Sequence, residues 1–248
     1  MILMLSGEGK SDMGQMMPGK SGMVYEPGPM AWMVDRLAEK RLGYSPLELQ
    51  QQGAECVQFV SERELTELAR PGPMLIPGLK RGRETGLFTR NAQALGRLAK
   101  DLSHKRQEDV IAVLFRDADK TNACNADTWE EKRRSIENGF DHVDFRNGVP
   151  MVPRPKSEAW LLCALKTPPY QHCNTLEEAS GNDNSPRSLK KQLATVVGHD
   201  PTAQEQADWV RTGRIDPECI EMPSFTAFRK ALNRVLDQVF AHSQQECS

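Results

Sequence analysis

Two aspartates, Asp117 and Asp119, directly follow the most apolar stretch of the chain, VIAVLF at 110–115. In an extended backbone, side chains two residues apart project the same way, so both carboxylates can face one point. Two carboxylates in one place repel each other unless a cation lies between them or one is protonated. Mg²⁺ is typically held by one or two carboxylates together with water and phosphate oxygens. The pair therefore indicates a candidate metal site, with a solvated acidic turn as the alternative.

A second acidic group, Glu8 and Asp12, follows the N-terminal apolar stretch ILML within the segment GEGKSD. The GKS in this segment suggests a phosphate-binding P-loop, but the pattern GxxxxGK[ST] requires a glycine where Met4 stands. Met4 falls inside the predicted first strand, so the loop that would surround a phosphate is absent. We therefore reject a P-loop and predict that Glu8 and Asp12, rather than Lys10, are the functional residues.

A third group, Lys156 and Glu158, begins the segment KSEAWLLCAL, which predicts a helix with one apolar face. A carboxylate near a helix N-terminus is stabilised by the helix dipole, so Glu158 is equally well explained as a capping residue. Lys156 is either a cation that stabilises the charge of a phosphoryl-transfer transition state or an ordinary surface lysine.

Strands that alternate with helices along the chain predict an α/β fold with a mostly parallel sheet flanked by helices. In such sheets, sites form at the carboxyl ends of the strands, which is where Glu8, Asp117 and Asp119 fall. We expect a domain over 1–165 with an insertion at about 14–88, and a helical C-terminal extension over 166–248 that packs on it as one compact unit. Residues 8–29 are predicted to form a long loop. Asp127 is predicted to cap a helix that ends at Gly139.

Composition excludes several classes of protein. The net charge of −2 over 248 residues argues against a strongly basic binder of nucleic acid. No stretch approaches the roughly 20 apolar residues that span a bilayer, and no signal peptide is recognisable, so we expect a cytoplasmic protein with no membrane partner. The six cysteines are scattered without a CxxC pair, which favours free thiols over a zinc site or disulfides.

Cations that could bind a nucleic-acid backbone occur in two groups, for which a solvated surface is the alternative explanation. They are Lys80, Arg81, Arg83 and Arg90, and Arg187, Lys190 and Lys191. Trp160 and Trp209 are expected in the core rather than stacked on bases.

The ordered acidic motifs resemble those of the Toprim fold, which topoisomerases, bacterial primases and nucleases of the OLD (overcoming lysogenization defect) family share. A hydrophobic strand followed by E-G-x-[ST]-[DE] stands here as Glu8 to Asp12, and D-x-D stands as Asp117 to Asp119. An E-x-W-L-L motif, similar to one in small stand-alone Toprim-like proteins of phage-defence islands, stands as Glu158 to Leu162. The similarity is closest to these small proteins and to OLD-family nucleases.

This resemblance implies a Toprim-like fold and a nuclease that depends on Mg²⁺ or Mn²⁺ and cleaves phosphodiester bonds in DNA or RNA. It implies metal ligands at Glu8, Asp12, Asp117, Asp119 and Glu158, and catalytic roles for Glu8, Asp117, Asp119 and Lys156. We expect the effector of a phage-defence or abortive-infection system; because the chain shows no ATPase domain, an ATPase or sensor would be a separate partner. Oligomers are compatible with this function. The alternatives are a non-catalytic subunit that binds an ATPase or nucleic acid, and a nucleotidyl- or phosphotransferase.

Overall fold

The structure, a computed structural model, describes residues 1–19, 22–69, 85–118 and 126–246, without the side chains of 85–87, 126–127 and 242–246. Its strands are β1 (Ile2–Gly7), β2 (Gly14–Gly19), β3 (Gly22–Pro27), β4 (Val57–Ser61), β5 (Val110–Phe115) and β6 (Gly148–Met151). Its helices are α1 (Pro29–Leu42), α2 (Pro46–Gln51), α3 (Glu62–Leu68), α4 (Thr85–Arg106), α5 (Ala126–Asp141), α6 (Ser157–Leu165), α7 (Leu189–Val197), α8 (Ala203–Arg211) and α9 (Pro223–Glu246).

Four parallel strands form the central sheet in the order β4-β1-β5-β6, which confirms the predicted α/β class. Every residue of β1 and β5 is buried, as expected for strands covered on both faces. From β1 the chain runs outward to β4 and then crosses over to β5 on the other side of β1. The carboxyl ends of β1 and β5 therefore meet at a topological switch point, where open α/β sheets bind ligands.

Alternate residues along the strands supply two separate cores. Leu3 and Leu5 of β1 pack with α1, α6, α8 and α9 on one face of the sheet. Ile2 and Met4 pack with α3, α4 and α5 on the other. The result is a three-layer α/β/α arrangement.

The C-terminal helices cover the first of these faces. Trp160 of α6 is fully buried against Phe225 and Phe228 of α9, and its indole N–H donates to Ser224 Oγ over 2.9 Å. Trp209 is 4% exposed. Both tryptophans are thus core residues, as predicted.

Two predicted local structures are wrong. The segment 8–29 contains the antiparallel hairpin β2–β3 rather than only a loop. Gly139 lies inside α5 and does not end it. A Cβ at Gly139 would lie 2.4 Å from the Thr89 carbonyl oxygen and 2.6 Å from Ala92 Cβ, so this glycine permits close packing of α5 on α4.

The cysteine prediction also needs correction, because Cys163 and Cys173 form a disulfide. Cys56 and Cys219 are free thiols. Disulfides persist chiefly in oxidising compartments, so this bond gives no support to the expected cytoplasmic location. Among the described residues, no helix has the length and apolar character needed to cross a bilayer.

Candidate active site

Glu8 and Asp117 lie side by side at the switch point. The backbone N–H of Asp117 donates to Glu8 Oε1 over 2.9 Å, which links the residues that follow β1 and β5. The N–H groups of Arg116 and Ala118 donate to the carbonyls of Met151 and Pro153, at 3.0 and 3.1 Å, so pairing with the β6 segment continues past Asp117. The backbone that carries Asp117 is therefore fixed on both sides.

Arg116 holds the second oxygen of Glu8. Its Nη1 lies 3.3 Å from Glu8 Oε2 and 2.8 Å from Glu62 Oε1, and the side chain is only 3% exposed. Its Nη2 is buried without a hydrogen-bond partner among the described residues. Sequence reasoning missed this residue; the one available signal is an arginine directly after a fully buried strand.

Asp12 is brought back towards Glu8 by a turn. Gly9 adopts a φ of +79°, a conformation that favours glycine, and a Cβ there would lie 2.8 Å from Asp12 Oδ2. The Met30 N–H at the start of α1 donates to the Asp12 carbonyl over 3.0 Å. The hairpin returns the chain from Asp12 to α1, so these elements together fix the backbone of Asp12.

Ser157, the first residue of α6, joins the two aspartates. Its backbone N–H donates to Asp117 Oδ1 over 3.1 Å, and its hydroxyl donates to Asp12 Oδ1. The side chain is 3% exposed. Sequence reasoning did not select Ser157, although it lies between two residues that it did select, Lys156 and Glu158.

Glu158 follows in the first turn of α6, a helix buried on nearly all sides rather than on one face as predicted. Its Oε2 is buried and has no hydrogen-bond partner among the described residues. Burial and the charge of Asp12 raise the pKa of Glu158, while Lys156 partly opposes the rise. An oxygen capping the helix would have a partner, so a purely capping role does not account for Oε2.

The four described carboxylates, those of Glu8, Asp12, Asp117 and Glu158, influence one another electrostatically. Burial, followed by the charges of Asp12, Glu158 and Glu8, raises the pKa of Asp117 well above its usual range. Burial and the charge of Glu8 likewise raise the pKa of Asp12, although hydrogen bonds from Ser157 and Ser11 oppose this. We call this group the carboxylate cluster. It carries excess negative charge that the surrounding protein only partly neutralises.

Lys156 lies beside the cluster with its ammonium bound to Asp183 at 2.8 Å. Burial alone would lower the pKa of Lys156, but the bond to Asp183 and the charges of Asp183, Glu158 and Asp117 outweigh burial and raise it. The lysine is therefore a charged neighbour of the cluster rather than an isolated surface residue.

The other predicted residues fall into two groups. Asp119 and the cations Lys80, Arg81 and Arg83 lie outside the described residues. Arg90, Arg187, Lys190 and Lys191 are exposed. Within the described part of the chain, no group of three or more His, Cys, Asp and Glu side chains has an arrangement that could hold a metal ion.

Ser157→Ala is expected to lower the free energy of unfolding by about 1.5–3 kcal/mol, the typical contribution of a hydrogen bond to a charged group. Urea unfolding near neutral pH measures this loss. Ser11→Ala is the matched control, because the Ser11 hydroxyl also donates to Asp12, over 3.1 Å, but is exposed. Its effect should stay within about 0.5 kcal/mol. Equal effects of the two substitutions would contradict the assigned role of Ser157.

The Toprim resemblance rests on the three acidic motifs and their order along the chain. Comparison of the chain with protein-family models, with curated proteins and with solved structures finds no match.

Proposed function

We propose that this protein is a metal-dependent nuclease that cleaves phosphodiester bonds of DNA or RNA. The observation that carries the proposal is the meeting of Glu8, Asp12, Asp117 and Glu158 at the switch point of a parallel sheet. Clusters of groups with perturbed pKa in such a position are typical of functional sites.

The residues fit a hard divalent cation, Mg²⁺ or Mn²⁺. They offer carboxylate oxygens, the ligands such ions prefer, and one or two carboxylates suffice when water and substrate oxygens complete the coordination. The unpartnered Oε2 of Glu158 is a buried acceptor for which the described residues provide no donor. Because no three of the described carboxylates are arranged to hold an ion together, one or two of them, with Asp117 at the centre, would bind it. Asp119, outside the described residues, would be a further ligand.

The surrounding residues have separate roles. A bound divalent cation would supply positive charge against the phosphate and acidify a water molecule. Arg116 and the Asp117 N–H orient the carboxylate of Glu8. Ser157 sets the spacing of Asp12 and Asp117. Lys156 brings a positive charge to the rim of the cluster.

Nucleic acid as the substrate is supported by the motif resemblance and by the exposed cations Arg187, Lys190 and Lys191, which could contact a phosphate backbone. A role as the effector of a phage-defence system with a separate ATPase or sensor partner, in the cytoplasm, completes the proposal. The defence role and the partner are supported by the resemblance alone, and the cytoplasmic location by the hydropathy of the sequence.

Titrating Mn²⁺ in a thermal melt tests the site directly. A ligand that binds only the native state stabilises it by RT ln(1 + [L]/Kd), about 2.7 kcal/mol at a hundred times Kd. We expect Mn²⁺ to raise the midpoint of wild type and to have little effect on Asp117→Asn. Ca²⁺-free buffer with EDTA provides the baseline.

The same melt separates the alternatives. A non-catalytic subunit would show no metal-dependent stabilisation, and that result would contradict the proposed site. A nucleotidyl- or phosphotransferase would be stabilised further by a nucleoside triphosphate added with Mn²⁺. A nuclease would instead degrade a mixture of single- and double-stranded DNA and RNA in the presence of the metal.

A further inference from the structure

A cavity of about 710 Å³ opens beside the carboxylate cluster. Gly7 and Gly9, the residues on either side of Glu8, form part of its wall. Glu62, which also lines it, is bonded to the same Arg116 that holds Glu8. The cavity therefore borders the backbone that carries Glu8, although the Glu8 side chain is not part of its lining. Its volume is in the range of about 300–1,000 Å³ typical of small-molecule sites.

The apolar part of the wall comes from the hairpin and from β4. Met16 and Met23 lie on the same face of the hairpin, because Met16 pairs with Tyr25 and Met23 is two residues before Tyr25 on β3. Tyr25 stacks on Phe59 of β4 at 4.7 Å between ring centroids. Met16 is 38% exposed and Met23 is 59% exposed, so apolar surface is left uncovered around the cavity.

The charged lining residues comprise two carboxylates, Glu62 and Glu64, and two cations, Lys10 and Arg63. Glu64 accepts hydrogen bonds from the backbone N–H and the hydroxyl of Ser61, and Glu62 is paired with Arg116. Among the described residues, the ion pair that Arg63 makes is with Glu67 on the surface, an interaction worth little and easily exchanged. No hydrogen bond or ion pair joins the Lys10 ammonium to another described residue. Lys10 and Arg63 are therefore the groups that can turn to a phosphate.

We propose that this cavity binds one unpaired nucleobase of the nucleic acid, with Met16, Met23 and Phe59 around the base and Lys10 on an adjoining phosphate. The inference rests on the proposed function and deepens it, because it names the substrate class as single-stranded or locally unpaired nucleic acid. A base in a duplex would first have to leave its stack, which disfavours the binding of a duplex. Lys10, set aside by the rejection of a P-loop, thereby becomes a substrate-binding residue.

The test uses a short oligonucleotide with a central 2-aminopurine, whose fluorescence changes when its stacking changes. Binding is measured with Mg²⁺ in an Asp117→Asn background, so that the probe stays intact. Asparagine keeps the oxygen that accepts from Ser157. We expect the single strand to bind at least about tenfold more tightly than its duplex, because a base in the duplex must leave its stack before it can enter the cavity.

Matched variants locate the binding surface. Met16→Gln combined with Met23→Gln should weaken single-strand binding about tenfold. Met17→Gln is the control, because Met17 is the next residue on the hairpin, is 41% exposed and does not line this cavity. It should bind within about twofold of its background protein. Lys10→Gln should weaken binding and lower its dependence on salt.

Equal affinity of the Met16/Met23 variant and the Met17 variant would overturn the inference, as would equal binding of single strand and duplex or no binding at all. The cleavage assay on wild type reports separately on the proposed function. If wild type cleaves nucleic acid but the methionine variants bind the single strand equally well, the cavity proposal is wrong and the proposed function stands. If the Met16/Met23 variant binds more weakly than the Met17 variant but wild type cleaves no nucleic acid, the nuclease proposal is wrong and the cavity remains a single-strand binding site.

Discussion

Replacing Asp117 and Asp119 together by alanine is expected to reduce metal-dependent cleavage of nucleic acid by more than about a hundredfold. Residues that merely support metal ligands typically cost about 10–100-fold when mutated, so loss of two ligands should exceed that range. Asp117 stands at the centre of the cluster, since its carboxylate is influenced by Asp12, Glu158 and Glu8. Cleavage of a labelled oligonucleotide under single-turnover conditions measures the loss.

Two further variants make this result interpretable. Asp117→Asn with Asp119→Asn keeps acceptor oxygens and shape, so an equal loss would assign the effect to charge rather than to misfolding. Asp101→Ala with Asp141→Ala removes two exposed aspartates from the ends of α4 and α5, which precede β5 and β6 at the opposite edge of the sheet. That control should cleave like wild type. Undiminished cleavage by the Asp117/Asp119 double variant would eliminate the proposed site.

The sheet could be predicted because its strands are apolar on both faces. ILML and VIAVLF can only be stable between two layers, and that requirement fixes β1 and β5 as central strands. The hairpin could not be predicted in the same way. Its strands GQMMPG and GMVYEP contain glycine and proline, are mostly exposed and show little apolar alternation. The prediction that Gly139 ends α5 was wrong because this glycine instead allows α5 to pack closely on α4.

Within the site, sequence predicted the carboxylates but not the groups that hold them. A carboxylate after a buried strand is visible in one sequence, and strand order then brings Glu8 and Asp117 together. Arg116 and Ser157 depend on contacts between residues about 40 or more positions apart, which local patterns do not encode. The disulfide between Cys163 and Cys173 was missed because spacing alone does not distinguish a bridge from two thiols.

In the absence of divalent metal, the protein is expected to lose stability as the pH rises through the raised pKa values of the carboxylate cluster. The folded-state pKa values of Asp117, Asp12 and Glu158 all lie above their ordinary values, with burial as the largest cause and mutual repulsion next. Between the ordinary and the raised pKa, the folded state binds more protons than the unfolded state. The stability from these groups is therefore complete below the ordinary pKa and is lost as the pH rises through the raised one.

Asp35 provides the matched control for this titration, because it is a buried carboxyl outside the cluster. Burial is the largest cause that raises its pKa to about 6, against hydrogen bonds from Ser45 and Leu47. The stability that protonated Asp35 contributes is likewise lost as the pH rises, between about pH 4 and about pH 6. Asp35→Asn should therefore flatten the stability curve between about pH 4 and about pH 6, whereas Asp117→Asn should flatten the part that comes from the cluster.

Adding Mg²⁺ should oppose the loss of wild-type stability with rising pH, because a metal binds deprotonated carboxylates and so competes with protons for the cluster. A rise in the melting midpoint of about 2 °C or more at about pH 8, the shift that roughly 1 kcal/mol produces in a domain of this size, would be the expected result. Asp35→Asn should retain the full metal response, since Asp35 is not part of the cluster. Asp117→Asn should lose most of it. Two results would contradict this account: stability in EDTA that rises with pH, and equal stabilisation of both variants by Mg²⁺. Either would mean that a metal does not relieve repulsion within the cluster and that the carboxylates at the switch point are structural.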